Sequence, residues 1–97
     1  MNRALTVSRV RVRPENHATY LATIRELAAL AEARGWHLWL FRHPAERELF
    51  LECSESRTAS THRTAAGRPA DEATLEARIR TVAEYEPGAW ELWEEVR

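Results

Sequence analysis

The chain has 97 residues, of which 44% are hydrophobic and 30% charged, with 3 Gly, 4 Pro and a formal net charge of −1. This composition is typical of one folded domain and excludes a disordered or collagen-like chain. The balance of 14 basic and 15 acidic residues excludes the net basic surface of a nucleic-acid-binding protein.

No apolar run approaches the ~20 residues of a membrane span, and the N-terminus lacks the apolar stretch of a signal peptide. All of the basic residues are Arg and Ala is abundant, which indicates a bacterial genome rich in G and C. We therefore expect a cytoplasmic protein with neither a nucleic-acid nor a membrane partner.

The first half of the chain predicts a strand, a helix and a hairpin. Residues 5–13 alternate in polarity and are rich in β-branched residues, which favours a strand that Pro14 ends. A helix then follows, and Gly35 is placed to end it. Residues 36–42 and 48–54 predict two strands joined by a turn. The apolar positions that define the helix are Tyr20, Leu21, Ile24, Leu27, Ala28 and Ala31.

The second half predicts a short helix over 57–66, a longer helix and a last strand. Asp71 is placed to cap the longer helix, and Pro87-Gly88 to stop the chain after it. Residues 89–96 then predict the final strand. The order β-α-β-β-α-β is the ferredoxin-like α+β plan, a four-stranded antiparallel sheet in the order 4-1-3-2 with the helices on one face. We expect a single domain over residues 1–97.

The strands carry apolar residues on both faces of this sheet. We expect one set to face the helices: Val10, Val12, Leu38, Leu40, Leu49, Leu51, Trp90 and Leu92. The aromatic residues left on the open face are Trp39, Phe41, Phe50 and Trp93. Four such side chains form a larger apolar patch than a monomer usually exposes. We therefore predict a homodimer through this face, with Arg9 and Arg11 beside Glu52, Glu91 and Glu95.

The layout resembles the dimeric α+β barrel superfamily, in particular the antibiotic biosynthesis monooxygenase-like proteins. The resemblance covers nearly the whole chain and depends on Val-Arg-Val-Arg-Pro at 10–14, Glu-Cys-Ser-Glu-Ser at 52–56, Thr-His-Arg at 61–63 and Trp-Glu-Leu-Trp at 90–93. It implies a homodimer with a small cavity in each subunit between sheet and helices. Relatives include cofactor-free oxygenases that act on aromatic, polyketide-like substrates and enzymes that degrade haem.

The leading functional hypothesis is a cavity that binds a hydrophobic or aromatic small molecule and oxidises it without a cofactor. His62 is the candidate acid-base residue, because imidazole titrates near neutrality. Tyr20, Trp36 and Trp39 are the candidate substrate-binding residues. The alternative is a non-catalytic binding or stress-associated barrel. A cavity of ~300 Å³ or more favours the first hypothesis, and a filled core favours the second.

Metal binding and thiol chemistry receive no support from the sequence. The four His residues lack the spacing of a metal site, and Cys53 has no second Cys with which to form a disulfide or a metal site. We expect no metal and no cofactor.

Overall fold

The computed structural model describes residues 3–56 and 70–96. The predicted short helix over 57–66 lies outside them. The described part contains two helices and five strands, with one short 3₁₀ turn at Pro14–Asn16 between the first strand and the first helix. The strands are β1 (Ala4–Arg11), β2 (His37–Arg42), β3 (Leu49–Ser56), β4 (Glu84–Tyr85) and β5 (Glu91–Glu94), and the helices are α1 (His17–Ala33) and α2 (Ala70–Val82).

The sheet is antiparallel in the order β2-β3-β1-β4, and β5 also pairs with β1. Because β4 and β5 lie along the same edge of β1, this is the predicted 4-1-3-2 order with the last strand split in two. Both helices cover one face, and the α+β fold is confirmed. The single last strand predicted over 89–96 is corrected to β4, a loop and β5.

Helix α1 ends at Ala33, and Gly35 terminates it two residues later, as the sequence predicts. The φ angle of Gly35 is 86°, in the left-handed region that glycine adopts without strain. The Trp36 amide donates to the Ala31 carbonyl and the Gly35 amide to the Glu32 carbonyl, both at 3.0 Å. This is a Schellman motif, and its accompanying apolar contact joins Trp36 to Ala31. The turn therefore fixes the indole of Trp36 where the chain enters β2.

Helix α2 begins one residue earlier than its predicted cap. Asp71 lies inside the first turn, where its Oδ1 accepts a hydrogen bond of 2.8 Å from the Glu72 amide. The carboxylate still serves the helix N-terminus, where free amides favour negative charge. Its assignment as the N-cap residue is wrong, because Ala70 is already helical.

The core lies between β1, β3 and the two helices. Its side chains are almost fully buried, and Leu38 and Leu40 of β2 pack against them. The core residues are Val10, Val12, Tyr20, Ile24, Leu27, Phe50, Leu75 and Ile79.

The alternation of β3 differs from the prediction by one residue. Phe50 pairs with Val10 and is only 3% exposed, and Glu52 pairs with Ser8. Residues directly opposite each other point to the same face, so Phe50 and Glu52 face the helices and not the open face. Four of five consecutive residues from Leu49 to Cys53 are apolar, so the pattern alone does not fix the phase of this strand.

The other expected faces follow from the same register. Leu49 and Leu51 pair with Arg11 and Arg9, so they share the open face and not the helix face that the alternation predicted. Trp39 and Phe41, on β2, lie opposite Cys53 and Leu51 and are on the open face too. Phe41 and Trp93 are each 56% exposed.

The arginines of β1 pair with other glutamates than those expected. Arg9 bonds Glu86 at 3.1 Å, and Arg11 lies 3.6 Å from Glu46 and 3.7 Å from Glu86. Of the expected partners, Glu52 lies on the opposite face, Glu91 stands opposite Val7 in the β1–β5 register, and Glu95 bonds Arg3 at 2.9 Å. The split of the last strand explains the difference, because it brings Glu86 beside β1.

Candidate functional site

A cavity of about 690 Å³ lies between the sheet and the two helices. Its size is in the range of small-molecule sites. Its wall combines aromatic and aliphatic side chains with a few polar groups, as ligand pockets commonly do. The lining residues that matter for the chemistry are Trp36, Glu52, Glu72, Arg80, Tyr85 and Trp90.

Glu52 is the central polar group of this wall. The Tyr20 hydroxyl donates to its Oε2 at 2.5 Å, and the Tyr85 hydroxyl lies 2.9 Å from both carboxylate oxygens. Tyr20 comes from the core face of α1 and is 0% exposed, whereas Tyr85 comes from β4 and lines the cavity. Three elements thus hold one carboxylate in a fixed position.

The surroundings of Glu52, Tyr20 and Tyr85 shift the pKa of all three side chains. Burial raises the pKa of the Glu52 carboxyl above its usual value, although the hydrogen bonds from Tyr20 and Tyr85 oppose that change. Burial, and then the nearby Glu52 charge, raise the pKa of both tyrosines far above the ordinary phenol value. The phenols therefore remain neutral donors at physiological pH.

An ion pair connects the two helices at the cavity wall. Arg34, just beyond the end of α1, bonds Glu72 of α2 at 2.8 Å. The Glu72 side chain is 7% exposed and that of Arg34 is 32% exposed. A carboxylate buried to this degree needs its partner, so the pair holds the end of α1 beside the start of α2.

Trp90 adopts a backbone conformation that is rare for an aromatic residue. Its φ angle is 60°, in the left-handed region. The Trp90 amide donates to Ser8 Oγ at 2.9 Å, and the indole packs 4.3 Å from the Tyr85 ring. The Arg80 guanidinium lies 5.3 Å from the indole centroid, within the range of a cation–π contact. The loop between β4 and β5 therefore places Trp90 on the cavity wall.

The structure brings only some of the residues predicted for this site together at the cavity. Trp36 lines the cavity. Tyr20 contributes through its bond to Glu52. Trp39 lies on the open face, where its ring contacts His37 at 4.3 Å. His62, the candidate catalytic residue, lies outside the described residues.

Sequence reasoning assigned Glu52 to the dimer interface and did not predict Glu52 or Tyr85 as residues of the cavity. The available signal was a carboxylate between the apolar residues Leu51 and Cys53 of a strand, which must be exposed or held by donors. The phase error in β3 assigned Glu52 to the open face, and Tyr85 was not assigned to any strand.

Residues 3–56 and 70–96 contain neither a metal-binding cluster nor a membrane-spanning helix. These residues contain no group of three or more His, Cys, Asp or Glu side chains that could hold a metal ion. None of the helices in these ranges is long and apolar enough to cross a membrane.

Comparison with solved structures identifies the fold. SnoaB, a cofactor-independent oxygenase from Streptomyces nogalater, aligns over 100% of this chain and 94% of its own with a TM-score of 0.77 and 16% identity. A Caulobacter crescentus protein, provisionally named an antibiotic biosynthesis monooxygenase, aligns over 99% and 92% with a TM-score of 0.79 and 16% identity. A Bacteroides thetaiotaomicron protein of unknown function, a possible oxidoreductase, aligns over 97% and 96% with a TM-score of 0.76 and 21% identity.

These similarities agree with the resemblance to antibiotic biosynthesis monooxygenase-like proteins. At such low identity they establish the fold alone, a ferredoxin-like α+β domain that these solved structures share. No family model matches the sequence, and no curated protein matches it significantly.

Proposed function

We propose that this protein binds a hydrophobic or aromatic small molecule in the cavity between sheet and helices. The observation that carries the proposal is the cavity of about 690 Å³ with Trp36, Tyr85 and Trp90 on its wall. Aromatic rings offer flat apolar surfaces against which a planar ligand packs. Glu52 adds one polar anchor in a fixed position, which orients a ligand within an otherwise apolar site.

The reaction that we propose is oxidation by molecular oxygen without a bound cofactor. The fold shared with SnoaB supports it, since SnoaB is a cofactor-independent oxygenase. A CH₂ group between aromatic rings would lose a proton to a base, and reaction with O₂ would convert it to C=O with release of one water. The substrate supplies the electrons, so the equation balances without another reductant. His62 is the proposed base.

We further propose that the working unit is a homodimer formed through the open face of the sheet. Phe41 and Trp93 are each 56% exposed there, and the register places Val7, Trp39 and Leu51 on the same face. Burying apolar area contributes about 25 cal/mol per Å², so a second copy of the same face would stabilise these side chains.

Native mass spectrometry with a panel of two- and three-ring aromatic compounds tests the binding proposal. At least one compound should bind the wild type, and Leu92→Trp should reduce its affinity by about tenfold or more, because Leu92 lines the cavity. Val96→Trp is the matched control, since Val96 is 92% exposed and is not among the lining residues. Equal affinity in both variants, or no bound compound, would contradict the proposal.

An oxygen electrode then tests the reaction with each compound that binds. Oxygen uptake should accompany formation of the ketone, and His62→Ala should abolish the uptake while binding persists. Binding with no oxygen uptake for any compound would favour the alternative, a non-catalytic binding protein.

A further inference from the structure

Within the described residues, Glu52 is an acidic side chain on the cavity wall that uses only part of its hydrogen-bonding capacity. An ionised carboxylate offers about four lone-pair positions, and Tyr20 and Tyr85 supply one proton each. Among residues 3–56 and 70–96, no basic side chain lies within 4.0 Å of the carboxylate. A partly buried carboxylate bonded only by neutral donors gains from a cation.

Among the described residues, the wall carries four charged side chains besides Glu52, namely Arg34, Glu72, Glu76 and Arg80. Arg34 is neutralised by Glu72 at 2.8 Å. Arg80 extends from the last turn of α2, where the residue is exposed, and lies over the Trp90 ring. Charge interactions are stronger where water is less accessible, so the partly buried Glu52, once ionised, outweighs the exposed Arg80 in selecting the charge of a ligand.

We propose that the ligand of this cavity is an aromatic amine whose ammonium group bonds Glu52 while its ring packs against Tyr85 and Trp90. This inference rests on the proposed binding function and specifies its ligand class. The ammonium supplies a counter-charge that the described residues do not provide, and it donates to carboxylate lone pairs that Tyr20 and Tyr85 leave unused. The faces of the aromatic rings favour the same charge, so both features of the wall select a cation.

Isothermal titration calorimetry with three matched indoles tests the proposal. Tryptamine, tryptophol and indole-3-acetate share the ring and differ in ending with an ammonium, a hydroxyl and a carboxylate. Tryptamine should bind about 10- to 100-fold more tightly than tryptophol, the range expected for a charge-assisted bond. Indole-3-acetate should bind more weakly than either.

The Glu52→Gln variant should reduce the affinity for tryptamine to that for tryptophol and leave tryptophol binding within a few-fold of the wild type. Glu84→Gln is the matched control, because Glu84 is exposed on β4 and is not among the lining residues. It should keep the full preference. The comparison of tryptamine with tryptophol in the wild type remains decisive even if the Glu52 variant does not fold.

Three results would overturn the proposal. Equal affinities for the three indoles would exclude an ammonium at Glu52 but leave the aromatic cavity of the proposed function intact. A preference for indole-3-acetate would identify Arg80 as the anchor. Absence of tryptamine binding would also reject the amine, whereas the proposed function fails only if no aromatic compound of the wider panel binds.

Discussion

Replacing Tyr20 by Phe removes one hydroxyl from the site and keeps the ring. That hydroxyl donates to Glu52 at 2.5 Å from a side chain that is 0% exposed. A hydrogen bond to a charged group contributes about 1.5–3 kcal/mol to stability, and one to a neutral group about 1 kcal/mol. We therefore expect Tyr20→Phe to lower the free energy of unfolding by about 2 kcal/mol when Glu52 is ionised. For a domain of this size that is a decrease in Tm of roughly 8–16 °C.

The cost should depend on pH because it depends on the charge of Glu52. The raised folded-state pKa of Glu52 means that its ionisation destabilises the fold. Its contribution is fully favourable below the unfolded pKa of about 4.3 and is lost as the pH rises through the folded value. Tyr20→Phe removes a bond that favours the ionised form, so the folded pKa of Glu52 should rise further. The mutation should cost more at pH 8 than at pH 4.

Urea denaturation at fixed protein concentration at the two pH values measures this difference. The matched control is the same mutation in a Glu52→Gln background, where the acceptor is neutral at every pH. There the cost should fall to about 1 kcal/mol and no longer depend on pH. An equal cost in both backgrounds and at both pH values would refute the assignment of Tyr20 as a donor to an ionised Glu52.

Three further predictions concern the dimer, the helix pair and the α1 turn. Phe41→Asp should shift the protein toward monomer in sedimentation velocity, while Val96→Asp, at an exposed terminal site, should not; a dimer in both would reject the proposed interface. Arg34→Met should cost about 2–3 kcal/mol in urea, because Glu72 remains buried, and adding Glu72→Leu should recover most of it; no recovery would reject charge burial as the cause. Gly35→Ala should lower stability by about 1 kcal/mol, because a side chain is strained at this φ; an unchanged urea midpoint would contradict the requirement for glycine at this turn.

The fold could be predicted because the patterns behind it are local. Pro14 and Gly35 bound the first helix, and its apolar residues follow helical spacing. Only a few topologies are compatible with this order of elements, and the ferredoxin-like plan is one of them. The residues on the open face of β2 could also be predicted, since Trp39 and Phe41 alternate with Leu38 and Leu40.

The site could be predicted only in part because it depends on strand phase and on a loop. Phe50 and Glu52 could point either way until pairing with β1 fixed the register. Trp90 lies on the cavity wall because the loop between β4 and β5 has a left-handed φ at this residue. No sequence pattern predicts that conformation. The partnership of Tyr20 with Glu52 joins residues 32 positions apart, which only the folded chain brings together.

The four tryptophans provide the most direct test of the central claim, that the cavity between sheet and helices is the ligand site. Trp36 and Trp90 line that cavity, whereas Trp39 and Trp93 lie on the open face. In a ¹H–¹⁵N NMR titration with a neutral two-ring probe such as 2-naphthol, the indole signals of Trp36 and Trp90 should shift together and saturate. Those of Trp39 and Trp93 should stay in place. Shifts confined to Trp39 and Trp93, or no shift at any indole, would contradict the account.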